Sequence, residues 1–341
     1  MIDITSIRLW ERWFLPQSLR NRGRDGYSHL SIFIGVILAL LLTACGSRPV
    51  RQPQLVVDAR SNMALGMQAY RNDNYVEARN FFSRTLGEYR SVDARTGELD
   101  SLIDLADSAL GQGEYAAARD YLSDAGRITA HGGFAVLEPR MALLETYADM
   151  QAGDNRQAAA GLDALLNNSA TPADIRQAAL FARTQTAFDL KSADANQWLG
   201  KLGASLGHNT DALSHARYQR LEALAARAGG NTLQAASLYA SALNTYRAAY
   251  YRPGIAATLE EWSDMLMAQQ DWHAARDWLQ RALNVRLSMY DRTHSVRDLD
   301  NLAQVDKVLG DIAAAKQATQ LAAYLKNGGD PAPTQHRRRV P

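Results

Sequence analysis

Apolar positions along this 341-residue chain fall into two regimes. Between Leu30 and Leu42 they form an uncharged run interrupted by one polar residue, Ser31. From about Val57 onward they recur at helical spacing, which predicts amphipathic α-helices through the body. That body repeats itself. The segment Asp73-Asn-Tyr75-Val-Glu-Ala78, with Phe82 and Thr85 following, is echoed by Gly113-Glu-Tyr115-Ala-Ala-Ala118 with Leu122 and Ala125. Echoes also begin at Gly153, Gly230, Asp271 and Gly310. Small residues stand at 78, 118 and 158 and again at 235, 275 and 315, forty apart within each set. A fixed period of this length is the mark of a stacked helical array. A small residue where two helices cross lets the backbones approach, and a large neighbour fills the gap beside it.

This pattern resembles the tetratricopeptide repeat (TPR): a polar or Gly turn, an aromatic, Ala three residues on, a large apolar residue four further, then a small one. Leu65-Gly66 and Leu105-Ala106 match the family's first helix, whereas the Pro after its second helix is missing almost everywhere. The forty-residue period and the stretch from Arg281 to Ala303 are similar to the longer, kinesin-light-chain-like form. The resemblance implies an all-α, right-handed α-α superhelix of about seven helix pairs. A seventh unit between 158 and 235 is expected from Ile175–Leu190 and Asn196–Leu202, degraded because Trp198 stands where Ala is expected. The organisation read from the chain is an N-terminal TPR block at 57–168, a degenerate repeat or seam at 169–208, and a C-terminal block at 209–326. A Pro/Gly-rich basic tail with Arg337, Arg338 and Arg339 follows at 327–341 and is expected to be disordered.

The first regime changes the picture of where this body sits. Arg20, Arg22 and Arg24 precede the apolar run, which is shorter than the roughly 20 residues a membrane span needs. Leu42-Thr-Ala-Cys45 resembles the bacterial lipobox. The resemblance implies a signal at 1–44, a diacylglyceryl-modified Cys45, and a tether at 45–56; the signal is long for its kind, and residues 1–19 are read either as a short interfacial helix or as an over-extended N-terminus from a start site assigned too far upstream. No Asp follows the cysteine, which points to the outer membrane, facing the periplasm. Cys45 is the only cysteine, so no internal disulfide is available to it.

Charge excludes one partner class. Removing residues 1–44 lowers Lys+Arg from 37 to 32 and Asp+Glu from 36 to 33, a net of −1. A near-neutral body lacks the basic face nucleic acid requires.

No catalytic constellation is legible. The histidines show no metal-ligand spacing; Gly200, Gly203 and Gly207 match no phosphate-loop pattern; Glu260-Glu261 reads as a solvated helix face. No enzyme activity, metal or cofactor is expected beyond the lipid on Cys45. TPR arrays bind peptides on the concave surface lined by the first helix of each pair. Carried over by register, the groove positions include Met63, Met67, Tyr70 and Arg71; Asp107 and Leu110; Arg140, Tyr147 and Met150; Arg183; Arg217, Arg220 and Arg227; Asp264, Met267, Asp300 and Lys307. Met67, Tyr70 and Tyr147 suit an amphipathic peptide, and the arginines suit carboxylates. The expected role is an envelope adaptor or scaffold for a partner protein or peptide. The alternative is a component of polysaccharide, pilus or secretion export, with Tyr246, Tyr250 and Tyr251 facing a polymer.

Overall fold

The computed structural model describes residues 54–207 and 210–331, which hold fourteen α-helices and no strand. They form seven consecutive antiparallel pairs: α1 (Gln54–Arg71) with α2 (Tyr75–Ser91), α3 (Arg95–Gly111) with α4 (Tyr115–Thr129), α5 (Glu138–Ala152) with α6 (Asn155–Asn167), and α7 (Ala173–Asp189) with α8 (Ala195–Ser205). Then come α9 (Ala212–Ala228) with α10 (Thr232–Ala248), α11 (Arg252–Ala268) with α12 (Trp272–Ser288), and α13 (Arg292–Val308) with α14 (Ile312–Lys326). This is the expected all-α, TPR-like array, within one compact unit. The signal, Cys45, the tether through 53, His208 and the tail from 332 lie outside the described residues.

The forty-residue period has a local cause. Most helices span 17 residues and are joined by three-residue turns, so each half-repeat is twenty long. Positive φ accordingly recurs at Asp73, Asp93, Gly113 and Gly153, and again at Gly230, Tyr250, Gln270, Tyr290 and Gly310. The residue after each left-handed position donates its N–H to a carbonyl five back, as from Asn74 to Ala69 (2.9 Å) and Glu114 to Ala109 (2.8 Å), closing the helix in a Schellman motif. The same residue often caps the next helix: Asn74, Asn231, Asp271, Asp291 and Asp311 accept from the N–H three positions on. One tight turn therefore ends one helix and starts its partner.

The repeated small residues lie where the pattern put them. Ala78, Ala118, Ala158, Ala235 and Ala275 are fully buried, and so are Phe82, Leu162, Leu202, Tyr239 and Leu279 at the large position. Gly66 is a close-approach residue, since a Cβ there would lie 2.5 Å from the Phe82 ring. In the fourth pair α8 has only 11 residues and buries Ala195 and Leu202 alone. Its Trp198 is half-buried, with Arg183 (4.4 Å) and Lys201 (4.0 Å) over its ring and its indole N–H donating to Asp194. In the last pair the large position becomes Thr319, which is exposed.

Contacts also join residues about 180 positions apart. Arg252, at the start of α11, donates to the Asn72 carbonyl (2.8 Å), and its backbone N–H donates to Asp73 Oδ2 (3.2 Å). Thr293, at the start of α13, donates to the Gly113 carbonyl (2.5 Å), and Arg292 lies 3.6 Å from Glu114. A small apolar cluster of Tyr75, Ala256 and Met289 sits with them. The turns of the first two pairs are thus seated on the last two pairs.

Candidate functional site

The first helix of each pair faces inward, and closure of the array gathers these faces. Two adjoining cavities result, of about 300 and 340 Å³, sharing Met150, Gln151, Gln185, Arg220, Arg286 and His294. Lining positions keep the repeat: Tyr70, Leu110 and Met150 are forty apart, as are Asp107 and Tyr147, Arg220 and Glu260, and Glu261 and Asn301. One cavity mixes the aromatic and apolar groups Tyr70, Tyr147, Pro253 and Met289 with the charged Asp107, Arg217, Arg286 and Asp291. The other is charged, with Asp189, Glu260, Glu261, Asp264 and Arg297. A larger hollow of about 690 Å³ lies elsewhere, between α5 and α6, lined mainly by Ala, Gly and Pro. It brings together none of the expected groove residues.

Tyr70, Tyr147, Arg217 and Arg220 reach the interior together. Tyr70 donates to Asp107 (2.8 Å), which also lies 3.6 Å from Arg140. Arg217 lies over the Phe181 ring at 4.7 Å and faces no carboxylate within ion-pair distance among the described residues. Arg220 is different. It donates to Glu261 Oε1 (2.5 Å) and Gln185 (3.3 Å), and Arg227 donates to the Glu261 backbone carbonyl (3.2 Å). Met67 packs half-buried against the first core cluster, and Arg71 is exposed outside both cavities. Arg183 departs from expectation. It turns away from the interior, 2.8 Å from Asp163 of α6 and stacked on Trp198, because the degraded fourth pair offers an aromatic where the others present Ala.

Two further expectations are corrected. Glu260 and Glu261 are not a solvated pair. Glu260 receives a fork from Arg286 (2.6 and 3.1 Å) and a further bond from Arg297, while Arg286 reaches on to Asp291 (3.0 Å). Burial pushes the Glu260 carboxyl up, but Arg286 and Arg297 outweigh it and hold it well below the usual range. Burial likewise opposes ionisation of Asp291, yet His294 and Arg286 hold it at about 2. Glu261 goes the other way: burial outweighs Arg220 and raises it to about 7. Asp298 is raised by burial and by the Glu260 charge. Of the three candidate polymer-facing tyrosines, Tyr246 is a core residue (2 % exposed), Tyr251 tilts against it at 5.6 Å, and Tyr250 is freely exposed.

The residues missed by sequence reasoning are Gln151, Gln185, Arg286, Arg297 and the closure set Asp73, Gly113, Arg252 and Thr293. Gly113 and Thr293, like Asn72 and Arg252, stand nine half-repeats of twenty apart, whereas Gln151, Gln185, Arg286 and Arg297 share no such spacing, and one sequence does not state which turns of the array meet. Among the described residues no group of His, Cys, Asp and Glu could hold a metal, and no helix is long and apolar enough to cross a membrane.

No family model matches the sequence, and no curated protein matches it significantly. Among solved structures, the crystal structure of BtubC (BKLC) from P. vanneervenii is similar to 85% of this chain and 98% of its own, at 15% identity and a TM-score of 0.33. The assignment to TPR-like helical arrays rests on the seven pairs and their buried small residues. Arrays of this class are typically protein-interaction scaffolds and usually non-catalytic.

Proposed function

We propose that the chain is a non-catalytic adaptor that takes a peptide segment of a partner protein on its inner face. The observation that carries this is the convergence of one face from each of the seven pairs, with Tyr70, Tyr147 and Met150 offering apolar contact and Arg217 a guanidinium that has no carboxylate partner among the described residues. An amphipathic peptide bearing a carboxylate satisfies both features. The arginine set is smaller than the sequence suggested, because Arg220 and Arg227 are engaged by Glu261 and Arg183 lies elsewhere. By its lipobox-like Cys45 the adaptor is lipid-anchored in the bacterial envelope, at the periplasmic side of the outer membrane.

The test is crosslinking in intact cells with the full chain as bait. A defined envelope protein is expected to be recovered with wild type and lost with Arg217→Glu, whose helix content should be unchanged. Equal recovery with both would remove the inner face from the binding role. Metabolic labelling with a fatty-acid analogue, present in wild type and absent in Cys45→Ser, checks the anchor; labelling of both would exclude Cys45.

A further inference from the structure

We infer that the contact between the first two and last two helix pairs is a latch that controls access to the inner face; this rests on the adaptor reading above. The two cavities beside it are narrow and partly open to solvent, at about 300 and 340 Å³ the lower end of what small-molecule sites occupy, and an extended peptide segment is larger. Tyr147 and Met150 are half-buried, so a peptide covers them fully only when the array widens.

The latch is built to part without unfolding a pair. It consists of turn-to-turn polar contacts: Arg252 on the Asn72 carbonyl and the Asp73 carboxylate, Thr293 on the Gly113 carbonyl, and Arg292 near Glu114. Only Tyr75, Ala256 and Met289 are buried apolar residues there, against eighteen in the cluster joining the first three pairs. Water can replace the polar bonds when the turns separate, so their net worth is small. Adjacent pairs, by contrast, share continuous apolar surfaces that do not come apart at this cost. The thin fourth pair, with two buried residues in α8, lies between the latch halves and is the place where the array gives.

Gly113 makes the idea testable. A Cβ there would lie 2.5 Å from Asp291 Oδ1 and 2.8 Å from Thr293 Cβ, so even alanine wedges the latch. Gly153 occupies the equivalent turn one repeat later, also at positive φ, with nothing within 4 Å of its Cβ. Gly153→Ala therefore carries the same backbone strain without the wedge.

The experiment places a thiol at Met150, which lines both cavities, in the full chain carrying Cys45→Ser. A polyethylene-glycol maleimide too bulky for the narrow interior then reports widening. Gly113→Ala and Arg252→Glu are expected to speed labelling by at least about tenfold, as expected when a minor open state becomes populated. Gly153→Ala should leave it unchanged, and Asp73→Arg combined with Arg252→Asp should restore slow labelling. Circular dichroism confirms that each variant is folded. Equal rates in all variants, fast labelling already in the parent, or equal acceleration by Gly113→Ala and Gly153→Ala would each overturn the latch. No partner enters this experiment, so its failure leaves the adaptor reading standing; loss of partner capture alone likewise leaves the latch intact.

Discussion

Single residues carry two kinds of weight here, steric and electrostatic. Ala118 is fully buried at a helix crossing, so Ala118→Leu forces added methylenes between α3 and α4 at about 1–3 kcal/mol. Thr319→Leu, at an exposed equivalent of the large position, should be near neutral. Thermal melts check the contrast, and a tolerated Ala118→Leu would contradict the close approach. The electrostatic weight is pH-dependent. Glu261, at about 7, and Asp104, at about 6, are raised by burial against their Arg partners. Their contribution is full below the unfolded carboxylate values near 4 and is lost as pH rises through 6 and 7. Glu260, held low, and Asp291, at about 2, contribute above the unfolded values and lose that contribution as pH falls toward 2. Maximal stability is thus expected near about pH 5, with a lower Tm at about pH 8. Glu261→Gln removes one of the raised groups, so it should raise the Tm at the higher pH and flatten the slope. A slope identical to wild type would rule out Glu261 as its source.

At the scale of the helix, the turn governs. Asp271 accepts from the Ala274 N–H at 3.2 Å, so Asp271→Ala should cost about 1 kcal/mol while Asp271→Asn costs little; denaturant midpoints separate the two. The elements show what a single sequence reveals. The second helices were legible because Ala at a fixed register is required wherever two backbones cross. Their first-helix partners were legible as elements but not as binding faces, since their inner residues alternate between aromatic, Met, Arg and carboxylate with no fixed type. Arg183 was misplaced because register was carried through a pair whose second helix is shortened and whose crossing residue is Trp198. Glu260-Glu261 looked solvated because the charges that bury it, Arg286 and Arg297, lie on neighbouring helices, and pairing across helices leaves no mark in local spacing.

At the scale of the molecule, closure changes how the array should fluctuate. In an open solenoid each pair is held by its neighbours alone, so both ends fray with similar ease. Here the ends are unequal. The turn before α2 is fastened to α11 through Arg252, and Tyr75 at the start of α2 is buried against Ala256 and Met289. Among the described residues the last helix, α14, packs mainly on α13, and Ile312 on its outer side is 65 % exposed. Amides of α2 should therefore exchange with solvent hydrogen more slowly than those of α14, although both lie in terminal pairs. Arg252→Glu places a carboxylate against Asp73 and should bring α2 up to the rate of α14, leaving α14 itself unmoved. If α2 exchange is indifferent to that substitution, the terminal pair is held by local packing alone, and the 180-residue contacts contribute nothing to its stability. If instead α2 and α14 both accelerate, the substitution has weakened α11 at the centre of the second block, and the charge swap with Asp73→Arg distinguishes the cases by restoring only the contact.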